Sequence, residues 1–176
     1  AAAFGATVNV NTNEFRNEPY AEIHSSAGSF ATLKNTVKVG TGLLNDKFTV
    51  DARLSKINSN GYIDRATSDL QSYYLSGGYY GKKSFIRFNT MSGSECTYQS
   101  WYGTPESRIS GNREDMLAYI DRNGLSPEEA DNLLNSGRTY NAYTYDNETD
   151  NYKQTHYQLI TSHTLSKNLT FNINGF

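Results

Sequence analysis

Lys47-Phe48-Thr49-Val50-Asp51-Ala52-Arg53-Leu54-Ser55-Lys56-Ile57 is the stretch whose reading decides the fold. Successive side chains of an extended chain point to opposite sides, so Phe48, Val50, Ala52 and Leu54 share one face and Thr49, Asp51, Arg53 and Ser55 the other. One face is apolar and the other charged. Upstream, Val37, Val39, Thr41 and Leu43 alternate with Lys38, Gly40 and Gly42, and Leu44-Asn45-Asp46-Lys47 supplies a tight turn. The two segments read as a hairpin.

The same period runs on downstream. In Leu70–Tyr80, Tyr73, Leu75 and Tyr79 oppose Ser72, Tyr74, Ser76 and Tyr80, and Gly81-Lys82-Lys83 turns the chain into Phe85–Met91. A third hairpin pairs Tyr152–Leu165 with Leu169–Ile173 around Ser166-Lys167-Asn168, and a weaker strand lies near Tyr20–Ser26. Short turns alternate with longer polar links, at Asn58–Asp69 and, much longer, at residues 96–151. Transmembrane barrels show this asymmetry, with short periplasmic turns and long extracellular loops. The expected fold is therefore all-β, an antiparallel meander forming part of a transmembrane β-barrel, with a short helical insert in the long extracellular loop.

Two helices are expected in that insert. Asn112 caps a first one running through Arg122, with Met116, Leu117 and Ile120 on one side and Gly124 at its end. Ser126-Pro127-Glu128-Glu129 then gives an N-cap, a proline at the first helical position and acids in the first turn, leading to Leu133, Leu134 and a closing Gly137.

Composition fits this better than an ordinary soluble core. Of 176 residues only 36% are hydrophobic, mean hydropathy is −0.68, and 14 Tyr stand against 8 Phe and 1 Trp. Such rings suit surfaces that are apolar at one end and wet at the other. A net charge of −2, with neither sign in long runs, leaves no footprint for nucleic acid. The single Cys96 excludes an internal disulfide framework. No apolar run approaches the roughly 18 to 20 residues of a membrane helix, which leaves a barrel open because its strands are about 9 to 11 residues long. The absence of an initiator Met reads as a processed or excised chain.

Ala2-Ala3-Phe4-Gly5-Ala6-Thr7-Val8-Asn9-Val10-Asn11-Thr12 resembles the end of the plug domain of TonB-dependent outer-membrane receptors. Asp51-Ala52-Arg53-Leu54-Ser55, Ser59-Asn60-Gly61-Tyr62-Ile63-Asp64-Arg65 and Tyr73-Tyr74-Leu75-Ser76-Gly77-Gly78-Tyr79-Tyr80 look like the first barrel hairpins of iron-complex-type members. Thr97-Tyr98-Gln99-Ser100-Trp101-Tyr102-Gly103-Thr104-Pro105 fits the same pattern. The resemblance implies residues 1–17 as plug end and linker, and 18–176 as the first barrel strands. It implies import of a scarce extracellular ligand across the bacterial outer membrane, an iron complex such as a siderophore or haem first, cobalamin-like or glycan ligands next. Partners would be outer-membrane lipid, that ligand, and the TonB energy-coupling protein acting through the plug. About 22 strands are expected in such a barrel, and Phe176, out of phase with Leu169, Phe171 and Ile173, reads as a truncation point.

Tyr98, Trp101, Tyr102, Tyr140, Tyr143 and Tyr145 flank the insert as candidate ligand contacts, with Arg108, Arg113 or Arg138 able to meet anionic oxygens. An aromatic girdle with loop packing explains the same rings, and Tyr73, Tyr79 and Tyr80 are girdle candidates. His24, His156 and His163 suggest no shared metal, since His156 and His163 are seven positions apart and face opposite sides of a strand. No cofactor is expected, and no nucleophile motif points to an enzyme. The rival is a soluble extracellular β-sandwich acting as a binding or adhesion module, with one face of each strand covered by a second sheet.

Overall fold

The computed structural model describes residues 15–176. The residues that resemble a plug end lie outside that range. Seven strands, β1 (Tyr20–Gly28), β2 (Thr32–Gly40), β3 (Phe48–Ser59), β4 (Ser68–Tyr80), β5 (Ser84–Tyr98), β6 (Thr149–Ser166) and β7 (Leu169–Gly175), make one sheet. Their spatial order is their chain order and every pairing is antiparallel, so the sheet is a meander. Among the described residues it does not close: β1 pairs only with β2, and β7 only with β6. Between β5 and β6 lie α1 (Glu106–Ser110), α2 (Arg113–Asn123) and α3 (Pro127–Asn135). Among the described residues no helix is long and apolar enough to cross a membrane.

The boundaries differ from the sequence expectation where a local signal was lacking. β2 starts at Thr32 because Phe30 and Ala31 both take positive φ, at 59° and 52°, and turn the chain without a Gly or Asn. Thr41 and Leu43 leave the strand. Backbone bonds carry the β5–β6 ladder out to Tyr98 opposite Thr149, so the long link is residues 99–148 rather than 96–151. The register of β6 against β7 shifts between Thr164 and Ser166.

At the β2–β3 turn, Asn45 and Asp46 have φ of 49° and 56°, and the amide of Phe48 donates to the Leu44 carbonyl at 2.9 Å. Asn and Asp tolerate this left-handed backbone, which is why a three-residue loop, Asn45 to Lys47, reverses the chain here. Gly42, with φ of 64°, packs against the backbone of Asn17, Glu18 and Pro19, where a β-carbon would collide. Gly42→Ala is expected to cost at least the roughly 1–2 kcal/mol of a left-handed non-glycine residue. Chemical denaturation of the variant beside the parent chain checks it.

The two faces of the sheet are unlike, and unlike in an inverted sense. One carries Glu22, Lys38, Arg53, Tyr74, Met91 and His156 in a single cross-strand row. Across β2–β5 this polar face is the sheltered one, holding Thr36, Thr49, Asp51, Tyr74, Ser76 and Asn89 below one-tenth exposure. Its polar groups find one another: the Tyr20 hydroxyl donates to Asp51 at 2.9 Å, Tyr74 donates to Asn89 at 3.1 Å, and Asn89 donates to Gln158 at 3.2 Å. Glu22 draws in Arg16, His24 and Lys38.

The other face is apolar and open. Ile23 is 77% and Leu54 62% exposed, and Val37, Val39, Leu75, Phe88, Phe171 and Ile173 on the same side are all exposed as well. Toward the long link this face turns polar, with Gln71, Ser94, Asn151 and the ion pair Lys56–Asp69. Among the described residues the sheet therefore has no apolar core of its own. The buried hydrophobic cluster sits in the helical link, where Met116, Leu133 and Tyr140 pack with Tyr119, Ile120, Leu125, Leu134 and Ala142.

Candidate functional site

The β1–β2 turn, the β3–β4 loop (60–67) and the link 99–148 all leave the same end of the meander. The link folds as a small helical cap over that end. Asn112 caps α2 by accepting from the amides of Glu114 and Asp115, and Gly124 ends it in the left-handed conformation. Ser126 and Glu129 form a reciprocal capping box on α3, with Pro127 at the first position. The C-cap is Ser136, one residue before the expected Gly137, and its amide bonds the Asn132 carbonyl. α1, a five-residue turn after Pro105, has no counterpart in the sequence reading, because its length is too short to show a periodicity.

The bonds from Ser126 hold the Glu129 carboxyl below its ordinary pKa. A depressed folded-state pKa gives stability that is present above the unfolded value and fades as pH falls through the folded one. Helical ellipticity from α3 should therefore decline on acid titration. Glu129→Gln, which keeps an acceptor but no charge, should remove that component of the curve.

The cap is tied to the β3–β4 loop through residues more than 70 positions apart. Asp64 receives the Thr139 hydroxyl at 2.7 Å and its amide donates to the Thr139 carbonyl at 2.8 Å. Arg65, itself at φ 63°, donates through its guanidinium to the Tyr143 carbonyl at 2.7 Å and the Asn141 carbonyl at 3.4 Å. Asn141 is 2% exposed, and its side chain donates to the carbonyls of Asp64 and Gln99 and accepts from the Tyr143 amide. Glu148 closes the other side by accepting from the amides of Thr144 and Tyr145 and from the Tyr98 hydroxyl.

This scaffold divides the candidate contacts. Trp101 is 76% and Tyr102 81% exposed, and Tyr102 lies almost parallel to Tyr143 with centroids 5.5 Å apart. Tyr145 is also exposed. Desolvation, with Tyr102 close by, pushes the Tyr143 hydroxyl pKa up. Tyr140, by contrast, is buried in the cap core, which likewise raises its pKa. Tyr98 is half-buried and donates to the Tyr145 carbonyl at 2.9 Å. Arg108 donates to the carbonyls of Gly137 and Leu134, pinning α1 to the end of α3. Arg113 and Arg138 lie on the exposed surface of the cap. Trp101, Tyr102 and Tyr145 are thus exposed, with the half-buried Tyr143 stacked against Tyr102, while Tyr98, Arg108 and Tyr140 help to build what carries them.

Among the girdle candidates, Tyr73 and Tyr79 lie on the apolar face, and Tyr79 meets Phe48 at 5.3 Å between ring centroids. Tyr80 lies on the opposite face, where its ring contacts Phe15 and Phe85 and its hydroxyl receives Arg87. Tyr157, not singled out by sequence, stacks near Phe88 on the apolar side. His156 and His163 fall on opposite faces, and His163 bonds Ser84. Among the described residues no three His, Cys, Asp or Glu side chains are placed to hold a metal ion.

Comparison with family models, curated proteins and solved structures gives no match for this chain.

Proposed function

We propose that the meander is an arc of an outer-membrane β-barrel of the TonB-dependent transporter type, with the helical cap on the outside. The observation that carries this reading is the inverted sheet, with its apolar face exposed and its polar face sheltered. Water favours the reverse arrangement, whereas lipid outside and a hydrated lumen inside favour this one. Roughly 25 cal/mol per Å² of apolar surface would be gained by covering the open face.

The slant of the apolar band supports the same reading. Ile23 of β1 lies in register with Val37, Leu54, Tyr73 and, on β5, Ser92. Phe171, central in the apolar run of β7, lies in register with His163 and, on β5, Ser84. The band thus drifts eight residues along β5 while crossing the six pairings from β1 to β7. At about 3.4 Å per residue and about 4.8 Å per strand, that slope corresponds to strands tilted by about 43° from the normal to a level band. Barrel strands tilt by about 35–45°. Tyr73 and Tyr157 stand at the band's upper edge and Phe48 and Tyr79 at its lower, the positions of interfacial aromatics.

In this reading the polar face lines a plugged lumen and further strands complete the closure. The cap contacts a scarce ligand, an iron complex in the first instance, for import energised by the TonB protein; that part rests on the sequence resemblance. The chain binds and carries, and no catalytic step is assigned to it.

The test is lipid contact by face. On a Trp101→Phe background, Leu75→Trp and Ser76→Trp chains are refolded with brominated lipid. Strong quenching at 75 and little at 76 is the expected result. Equal quenching at both, or a monomeric chain that folds cooperatively without detergent, would overturn the reading in favour of a soluble sandwich module.

A further inference from the structure

The exposed rings Trp101, Tyr102 and Tyr145, with the half-buried Tyr143 stacked against Tyr102, sit on the most acidic part of the chain. Residues 99–148 hold nine Asp and Glu against four Arg and no Lys, in a protein whose net charge is only −2. The remainder is net basic, so negative charge is concentrated on the cap. Arg108, one of the four arginines, spends its guanidinium on the Gly137 and Leu134 carbonyls. Asp146 is exposed immediately beside Tyr145, and Glu148 lies beneath the same turn.

We propose that this aromatic surface takes a cationic ligand, of the class of a quaternary ammonium or a positively charged heteroaromatic ring. The proposal rests on the cap being the ligand-bearing end of the molecule. Aromatic faces attract cations through their quadrupole, and a surrounding field of one sign raises the local concentration of the opposite charge. The stacked Tyr102–Tyr143 pair, with Arg65 holding the backbone at the Tyr143 carbonyl, is partly ordered in advance, which lowers the entropy loss on binding. An anionic iron chelate would meet the same field as repulsion, with Arg113, Arg122 and Arg138 its remaining cations on the cap, so the surface favours a cation over the iron complex that the sequence resemblance puts first.

Trp101 is the chain's only tryptophan and stands in this surface, so its emission is a native reporter. The chain, folded in a non-ionic detergent, is titrated with N-methylpyridinium, with benzoate as the anion of similar size, and with maltose as a neutral sugar. Saturable quenching by the cation is expected at concentrations about fivefold below any benzoate effect, the gain of an exposed cation–π contact. Raising the salt should weaken it. Tyr102→Ala, at an exposed position outside the cap core, should abolish saturation while circular dichroism stays unchanged. Linear collisional quenching alone, or tighter saturation by benzoate or maltose, overturns the proposal. Those outcomes leave the face-specific lipid quenching untouched, so the ligand class and the barrel reading fail separately.

Discussion

On the proposed barrel reading, arginine in place of Leu75 is expected to destabilise the chain in lipid by about 2–4 kcal/mol, the cost of a cation at mid-bilayer on a barrel's lipid face. Leu75 is the residue to use because it lies in the middle of the exposed band, in register with Val39, Ala52, Thr90 and Tyr157. Gln71 is the internal control, on the same strand and face but two positions beyond Tyr73, beside the Lys56–Asp69 pair. Gln71→Arg should cost no more than about 1 kcal/mol, as near a membrane interface. Urea titrations of the two variants in lipid vesicles give the comparison. Equal costs at 71 and 75 would contradict a lipid band bounded at Tyr73.

Leu133→Ala should have a comparably large and spatially separate effect. Leu133 is 0% exposed at the centre of the only buried hydrophobic cluster among the described residues, so its truncation leaves a cavity costing roughly 2–5 kcal/mol. The cap contributes few contacts to the sheet beyond the Asp64, Arg65 and Asn141 bonds, so its loss should be local. Hydrogen exchange is expected to rise across residues 113–140 while the β3–β5 amides remain protected. Uniform acceleration through the sheet would show instead that cap and strands unfold as one unit.

What could be read from the sequence follows the range of the interactions involved. Alternation from Phe48 to Leu54 announces a two-faced strand because the pattern is local, and the three hairpins around it follow from turns of two to four residues. The Asn112 and Gly124 caps and the Ser126–Glu129 box are equally local, and the structure has them where their residues stand. The tie between cap and sheet was not legible. Asn141 looks like any polar loop residue, and its partners Asp64 and Gln99 are 77 and 42 positions away. Arg108 looked like an anion-binding candidate because a guanidinium in a loop gives no sign that carbonyls already occupy it. Tyr80 stands on the face opposite Tyr73 and Tyr79, as the alternation already places it, so its phase was legible and its composition alone made it a girdle candidate.

The separate hydrophobic core of the cap also bears on how the meander assembles. Every strand but one joins its predecessor across a connection of at most eight residues, whereas β6 must find β5 across fifty. Closing an open connection of that length carries an entropic barrier that grows as the logarithm of its length. A cap that folds first around Leu133 brings Gln99 and Glu148 to bonding distance, the Gln99 amide meeting the Glu148 carbonyl at 2.9 Å. The fifty-residue excursion then behaves kinetically as a short turn, and the strands can add in chain order, each templated by the one before.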